Sequence, residues 1–266
     1  MNTVEKEILS LLRHMRDEYG LVGVKGEFEA EGARLEELLR LKEISSAAGL
    51  EMIVKIGGCE AITDMRQARS AGATQIIAPM IESAFAARKF LGAAKMIFRE
   101  DELEKIGLLI NVETVDGLKN FDHICSLPEA GMLAGLDIGR VDMACSMGLD
   151  MQGCNSPQVY EACIEVCRKW HDQYPGKACT IGGLLNADTV AFLEDMPREY
   201  KIGCESKKAV FCPETVQSGR LKEAFLAAIR FETLWYQNCM EDYHWMSQNN
   251  WNYFKILPEY EAALLH

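Results

Sequence analysis

Short apolar runs alternate with amphipathic segments along most of this 266-residue chain. The runs are LVGVK (21–25), MIVKI (52–56), QIIAP (75–79), LLINV (108–112), MLAGLDI (132–138), ACTIG (178–182) and YKIGC (200–204). The segments between them repeat apolar residues every three or four positions and end in glycine, which is typical of helices. Such alternation predicts a parallel α/β sheet. A TIM-type (β/α) barrel is favoured over a doubly wound sheet, because no GxGxxG motif opens the first unit.

The pattern provides seven strands, whereas a complete TIM-type barrel has eight. Residues 1–20 are predicted to form one helix with no strand ahead of it, so the first strand is expected to be either missing or atypical. The length suits a single barrel, because such barrels commonly have about 250 residues. We therefore assign residues 1–230 to a barrel domain that includes the N-terminal helix.

The pattern changes after about residue 214, where the sequence is helical in period to its end. Three of the four tryptophans, Trp235, Trp245 and Trp251, lie in this part of the chain. Residues 231–266 are predicted to form an aromatic-rich C-terminal helical extension. Because large aromatic surfaces need burial, this extension either caps the barrel or forms a subunit interface, and we expect a homo-oligomer.

Composition excludes several classes of protein. The chain has 28 Lys and Arg against 40 Asp and Glu, a formal charge of −12, which disfavours nucleic-acid binding. No window has the roughly 18 uncharged apolar residues of a membrane helix, and the N-terminus does not resemble a signal peptide. The ten cysteines are scattered without CxxC spacing, which favours reduced thiols. We expect a cytoplasmic protein that contacts neither membrane nor nucleic acid.

Charged residues follow the predicted strands at their C-terminal ends, where parallel barrels place their catalytic groups. They are Lys25, Glu27, Glu29, Lys55, Glu82, Glu113, Asp137, Arg140 and Asp142. Converging carboxylates need a cation, either lysine or a divalent metal ion. Glu113 and Asp142 follow adjacent strands, an arrangement that suits Mg²⁺ or Mn²⁺. By position alone, Glu113 pairing with a lysine and Asp142 capping the next helix remain alternatives.

Two segments, INVETVDGLKNFDHI and GLDIGRVDMACSMGL, resemble the paired motif of the HpcH/HpaI aldolase and citrate lyase β-subunit family. The matching residues are Glu113, Thr114, Asn120 and Ile124, followed by Gly135, Gly139, Asp142 and Gly148. IIAPMIESAFAARKF (76–90) resembles the segment of the same family that contains Pro-Met or Pro-Lys. The resemblance covers roughly residues 21–230 and is strongest over 75–150.

This resemblance implies a modified TIM barrel that is usually oligomeric, with exchanged C-terminal helices. It implies that Glu113 and Asp142 bind Mg²⁺ or Mn²⁺, and that the ion chelates a 2-keto acid or its enolate during the making or breaking of a C–C bond. A divalent cation lowers the energy of an enolate, which agrees with that chemistry. The backbone N–H groups from Gly139 through Arg140 to Val141 are candidates to hold the substrate carboxylate.

The sequence departs from the family pattern at two strands. Where the family has Asp-Gly-Glu-His, with a histidine that takes part in proton transfer, this chain has Lys25-Gly26-Glu27-Phe28. Glu27 is then the nearest candidate base. Lys55 stands where the family has an arginine that steadies the enolate, and a lysine provides a point charge rather than a bidentate fork. An alternative gives Lys25 and Lys55 lowered pKa values and a Schiff-base role.

Lys207 and Lys208 follow the last predicted strand, and Gly182 and Gly183 end the strand before it. TIM barrels often bind phosphate in these loops, so this lysine pair either binds a phosphorylated substrate or is simply solvated. We assign substrate binding to Lys25, Gly139, Arg140, Lys207 and Lys208. The sequence thus predicts a divalent-metal-dependent aldolase or carbon-carbon lyase that acts on a small-molecule keto acid. A catalytically altered barrel that binds an organic acid or a partner protein is the alternative.

Overall fold

A computed structural model describes residues 1–265, without the side chains of residues 259, 260 and 262–265. Eight strands form a closed barrel in sequential order. They are β1 (Leu21–Glu27), β2 (Glu51–Lys55), β3 (Gln75–Ala78), β4 (Gly107–Asn111), β5 (Gly135–Gly139), β6 (Ala178–Gly182), β7 (Ile202–Glu205) and β8 (Ala209–Phe211). The TIM-type barrel expected from the sequence is therefore confirmed. His266, the last residue of the expected extension, lies outside the described residues.

The barrel closes through a strand that the sequence did not predict. Strands β1 to β7 pair in parallel, whereas the three-residue β8 is antiparallel to both β7 and β1. Only residues 206–208 connect β7 to β8, and a reversal this short requires antiparallel pairing. The strand that completes the barrel is thus the last one, and residues 1–20 of the described chain contain no strand. Three residues are too few to form a recognisable apolar run.

Helices surround the barrel. They are α1 (Thr3–Tyr19), α2 (Leu35–Ala48), α3 (Ile62–Ser70), α4 (Ala84–Ile97), α5 (Glu100–Leu103), α6 (Val115–Lys119), α7 (Phe121–Cys125), α8 (Arg140–Ser146), α9 (Pro157–Gln173), α10 (Ala187–Glu194), α11 (Pro213–Gln217) and α12 (Leu221–Leu265). Short 3₁₀ helices occupy Pro128–Met132, Met151–Asn155 and Arg198–Tyr200. Among the described residues, no helix is both long and apolar enough to cross a membrane.

Strand side chains alternate between two environments, because successive residues of a strand point to opposite faces. One face packs against the helices in a single large apolar core. The other face points into the barrel, where Ile53, Ile77 and Leu109 form a small separate cluster with Val210 packed against it. Beyond this apolar layer, towards the C-terminal ends of the strands, the inward positions carry charged residues. The fold therefore gathers the strand-end charges around one opening.

Helix α12 changes character along its length. Its first half packs on the barrel and on α1, and buries Phe225, Phe231, Trp235 and Asn238. Between residues 240 and 257 its large apolar side chains are exposed. The expected domain boundary at residue 230 falls inside this helix, so the division into two domains stays a prediction.

Candidate active site

A cavity of about 360 Å³ opens at the C-terminal ends of the barrel strands. Six carboxyl groups and three lysines line it together with small residues and one amide side chain. These charged residues are Glu27, Glu29, Glu113, Asp137, Asp142, Glu205, Lys25, Lys55 and Lys207. We call this opening the mouth cavity. Most charges that the sequence placed at separate strand ends thus lie together, with acids in excess of bases, whereas Glu82 and Arg140 do not line the cavity.

Glu113 is fixed in place from several sides. Its Oε1 accepts a hydrogen bond of 2.9 Å from the backbone N–H of Met80, and its Oε2 accepts one of 2.7 Å from Nδ2 of Asn111. Lys55 Nζ lies 3.5 Å from the same Oε2 and 2.9 Å from Oε2 of Glu29. Glu113 is 1% exposed, so these contacts hold a buried carboxylate in one orientation.

Met80 adopts an unusual backbone conformation to make its contact. Its φ is 50°, in the left-handed region that residues other than glycine rarely occupy. Strain of this kind costs about 1–3 kcal/mol and tends to occur at functional sites. Here it turns the N–H group towards Glu113.

Lys25 lies between two further acids. Its Nζ donates to Glu205 and lies 3.2 Å from Oε1 of Glu27. Burial alone lowers the pKa of Lys25, but Glu205 and Glu27 outweigh it and raise the pKa above its usual value. The pKa of Lys55 is likewise raised, because Glu113 and Glu29 outweigh burial. The alternative of two lysines with lowered pKa values is therefore wrong: carboxylates surround each ammonium group and keep it charged.

Glu27 and Asp142 differ in how their charge is balanced. Burial raises the pKa of Glu27, but Lys25 and Lys55 outweigh it, so the pKa is lowered overall. Asp142 is half-buried and forms no ion pair with any described residue. Burial raises its pKa, and Lys55 offsets this only in part. A carboxylate without a cation therefore lies in the same cavity as Glu113.

Two glycines make room for buried carboxylates. A side chain at Gly139 would collide with the Glu113 carboxylate, and a Cβ atom at Gly182 would lie 2.8 Å from Oε1 of Glu205. The Gly139 position, which we assigned to substrate binding, thus accommodates Glu113. No larger residue fits at either strand end without displacing an acid.

Arg140 does not present its guanidinium group to the cavity. It is fully buried; Nε donates to the Gly182 carbonyl at 2.9 Å, Nη2 donates to the Leu184 carbonyl at 3.1 Å, and Nη1 bonds to Asn155. The Arg140 side chain therefore ties β5 to the loop after β6. Only its backbone N–H group remains available for the substrate contact expected from the sequence.

The structure separates the two neighbouring lysines. Lys207 is exposed and lines the mouth cavity. Lys208 is 2% exposed and lines a different hollow beside α12, where its Nζ donates to Oε2 of Glu31 at 2.6 Å. The Lys208 ammonium group also lies over the rings of Trp235 and Tyr236. Both lysines lie near Glu31, since Lys207 Nζ is 3.8 Å from its Oε1, but Lys208 does not line the mouth cavity.

A sequence model of the HpcH/HpaI aldolase/citrate lyase family matches residues 30–200, well over half of the chain. The chain belongs to this family. Membership indicates an enzyme of the aldolase or lyase type that acts on a small molecule. No curated protein sequence matches the chain significantly.

Solved structures of the HpcH/HpaI family share the fold. A family protein from Burkholderia cenocepacia J2315 is 18% identical with a TM-score of 0.57, and covers 83% of this chain and 99% of its own. An HpcH/HpaI aldolase from Desulfitobacterium hafniense DCB-2 is 15% identical with a TM-score of 0.58, with coverages of 84% and 87%. Citrate synthase SbnG is 16% identical with a TM-score of 0.56, with coverages of 85% and 89%. At these identities the likeness shows the barrel fold alone.

The sequence did not predict three residues of this HpcH/HpaI site. Glu205 ends β7 and follows the same strand-end rule as the other acids, so that rule applied to YKIGC would have found it. Asn111 lies inside an apolar run, two positions before Glu113, and period-2 alternation places both on the inner face. Met80 gave no signal, because a positive φ at a non-glycine residue cannot be deduced from composition or spacing.

Proposed function

We propose that this family member is a divalent-metal-dependent carbon-carbon lyase or aldolase acting through the enolate of a 2-keto acid. The observation that supports this most is the pair of carboxylates in the mouth cavity. Glu113 is held by Asn111 and Met80, whereas Asp142 has no cationic partner among the described residues. A rigid acid that shares a cavity with an unpaired one suits a site that a cation completes.

The donors present fit Mg²⁺ or Mn²⁺. Six carboxyl groups share three lysines in the cavity, which leaves uncompensated negative charge, and oxygen ligands suit hard cations. Within residues 1–265, no three His, Cys, Asp or Glu residues converge as a ready-made metal cluster. Glu113 and Asp142 would therefore hold the ion, with water or substrate oxygens as further ligands. When bound, the ion supplies withdrawal of charge from the enolate oxygen.

The chain's own cations have complementary tasks in this proposal. Lys55 is held between Glu29 and Glu113, so its charge is fixed near the metal ligands, where negative charge develops on the keto oxygen. Lys207 is the exposed lysine of the cavity and is available for a distal carboxylate or phosphate of the substrate. The backbone N–H groups of residues 139–141 would contact the substrate carboxylate.

The cavity charge weakens the alternative of a barrel that binds an organic acid without catalysis. An anionic ligand would enter a cavity with more acids than lysines, and like charges repel. The main charged partners of Lys25 and Lys55 are carboxylates of the protein itself. A cation that balances the acids is therefore a prerequisite for binding a keto acid here.

Titration calorimetry with Mg²⁺ or Mn²⁺ tests this proposal, together with an assay of oxaloacetate decarboxylation. Glu113→Gln and Asp142→Asn should each abolish metal binding and activity while thermal melting shows intact folding. Asp122→Asn, which removes an exposed acid on α7 outside the cavity, is the matched control and should behave like wild type. Unchanged metal affinity in both site variants would refute the assignment of Glu113 and Asp142 as metal ligands. A wild-type protein that binds metal but transforms no keto acid would refute the proposed enzymatic activity.

A further inference from the structure

Asp137 is a buried acid in the mouth cavity to which the proposed function assigns no task. It lies on β5 and is 1% exposed, and its Oδ1 has no hydrogen-bond partner among the described residues. Asn111, its paired residue on β4, also has an Oδ1 without a partner there. Two acceptor oxygens cannot satisfy each other unless one of them carries a proton. The two unpaired acceptor oxygens are therefore compatible with a protonated carboxyl group on Asp137.

The charges around Asp137 favour the same state. Glu205 of β7, Lys25 of β1, Lys55 of β2 and Glu113 after β4 face it. Neither lysine forms an ion pair with Asp137, since both lie against other carboxylates. Burial is the main cause that raises the pKa of Asp137 well above its usual range, and the negative charge of Glu205 raises it further. A buried carboxyl group with a raised pKa holds its proton more firmly than an exposed one and is suited to proton transfer.

We propose that Asp137 is a catalytic residue that gives a proton to, and takes one from, the substrate carbon that loses or gains the C–C bond. This assignment rests on the proposed function. The chain needs such a group, because the residues that line the mouth cavity include no histidine. Glu27 is a weaker candidate, since neighbouring lysines lower its pKa and make it a poorer base.

The proton transfer balances in both directions. In cleavage, the enolate's electron pair forms a C–H bond with the carboxyl proton of Asp137, the O–H bond breaks, and the negative charge passes to the carboxylate. The carboxylate then regains a proton from water that enters through the open mouth. In condensation, the ionised carboxylate removes a proton from the methyl carbon of the keto acid and forms an O–H bond. The enolate carbon then bonds to the carbonyl carbon of the acceptor, the acceptor's C=O π bond breaks, and its oxygen takes a proton from water.

One pair of assays separates this step from formation of the enolate. Oxaloacetate decarboxylation generates the enolate without a proton donor, whereas exchange of the pyruvate methyl hydrogens in D₂O requires proton transfer at carbon. With Mg²⁺ present, Asp137→Asn should slow methyl exchange, followed by NMR, by about 100-fold or more. Release of CO₂ in a single turnover, which precedes proton transfer to carbon, should change less than about threefold in this variant. Asp122→Asn should match wild type in both assays.

Infrared difference spectroscopy provides a readout that needs neither metal nor turnover. At pH 7, wild type and Asp122→Asn should show the carbonyl band of a buried protonated carboxyl group, and Asp137→Asn should lack it. Three results would each overturn the proposal. The band could be absent in wild type, methyl exchange could be undiminished in Asp137→Asn, or Asp137→Asn could lose both reactions while it still folds and binds metal. If wild type shows the band but catalyses neither reaction, the proposed function fails and the catalytic role of Asp137 fails with it.

Discussion

The mouth cavity and the outer part of α12, residues 240–257, depart from the usual distribution of polarity in opposite ways. The cavity buries charged groups inside a barrel, where an unpaired charge is costly. The outer part of α12 exposes large apolar groups, including Met240, Trp245, Trp251 and Phe254, of which Trp245 is 69% exposed. Each feature by itself indicates a surface at which a ligand or another chain binds.

The two regions differ in how far their side chains are already paired with other residues of the chain. Most charges in the cavity are paired within the chain, through Lys25 with Glu205 and Lys55 with Glu29 and Glu113, so the site is preorganised before any ligand binds. The outer part of α12 has no ion pairs with the rest of the described chain. We therefore expect changes in the cavity to alter stability and catalysis, and changes in the helix to alter association.

The largest effect should follow from removing the most buried lysine of the mouth cavity. Lys25→Met leaves Glu205 and Glu27 buried without their partner, and breaking such a pair typically costs about 3–5 kcal/mol of unfolding free energy. Denaturant unfolding measures this loss. Because the folded-state pKa of Lys25 is raised, its contribution is complete at pH 7 and is lost only as the pH rises above about 10.4.

Lys169→Met is the matched control for Lys25→Met, because Lys169 pairs with Asp122 and Glu165 at the surface. Surface pairs contribute roughly 0–1 kcal/mol. A loss in Lys25→Met no larger than that in the control would contradict the view that the cavity charges stabilise one another.

Lys55 should matter for turnover more than for folding. Losing one preorganised charge at an oxyanion typically costs about 2.7–4 kcal/mol in activation free energy, or about 100- to 1,000-fold in kcat. Lys55→Met should show this loss in oxaloacetate decarboxylation, with thermal melting as the folding control. Lys55→Arg should retain activity only if the planar guanidinium fits between Glu29 and Glu113. Full activity in Lys55→Met would remove Lys55 from the proposed mechanism.

The outer part of α12 should mediate self-association. A buried interfacial tryptophan typically contributes about 2 kcal/mol or more, so Trp245→Glu should weaken association by about 30-fold or more while activity per folded chain is kept. Light scattering measures the change. Leu226→Glu alters an exposed leucine in the barrel-packed half of α12 and is the control. A monomeric wild-type protein would contradict this prediction.

Truncation gives an independent test of the same interface. A cut near residue 230 would remove Trp235 and Asn238, which are buried against the chain's own barrel and α1. A chain ended after Cys239 keeps that packing and removes only the exposed part. If this shorter chain keeps its oligomeric state, the interface lies elsewhere.

Regular periodicity made most of the fold predictable. Seven parallel strands are long and apolar enough to stand out, and the strand-end rule located Glu113, Asp142, Lys25 and Lys55 at one opening. The antiparallel β8 was missed because three residues give no periodic signal. The separation of Lys207 from Lys208 was also unpredictable, since it depends on the turn into β8 and on contacts between Lys208 and α12.

Aromatic composition was a less reliable guide in α12. The sequence placed Trp235, Trp245 and Trp251 in one extension, but Trp235 is 4% exposed and belongs to the chain's own core. Period alone cannot reveal where a helix leaves the surface it packs on, because the apolar stripe continues past that point.

Tyr236 lies on α12 between the two regions, and changing it should give the smallest effect. Its hydroxyl donates to Oε1 of Glu31 at 2.5 Å, in the loop that also carries Glu29, the partner of Lys55. Losing one hydrogen bond of this kind costs about 0.5–1.5 kcal/mol, and partial exposure of the tyrosine keeps the loss in that range. Tyr236→Phe should therefore lower the unfolding free energy slightly and reduce kcat a few-fold by loosening Glu29, with no change in light scattering. Tyr243→Phe is the control, because its ring packs under Arg34 while its hydroxyl makes no hydrogen bond within the described residues. A change in oligomeric state in Tyr236→Phe would show that the cavity and the helix are coupled, since the substitution alters nothing beyond residue 239.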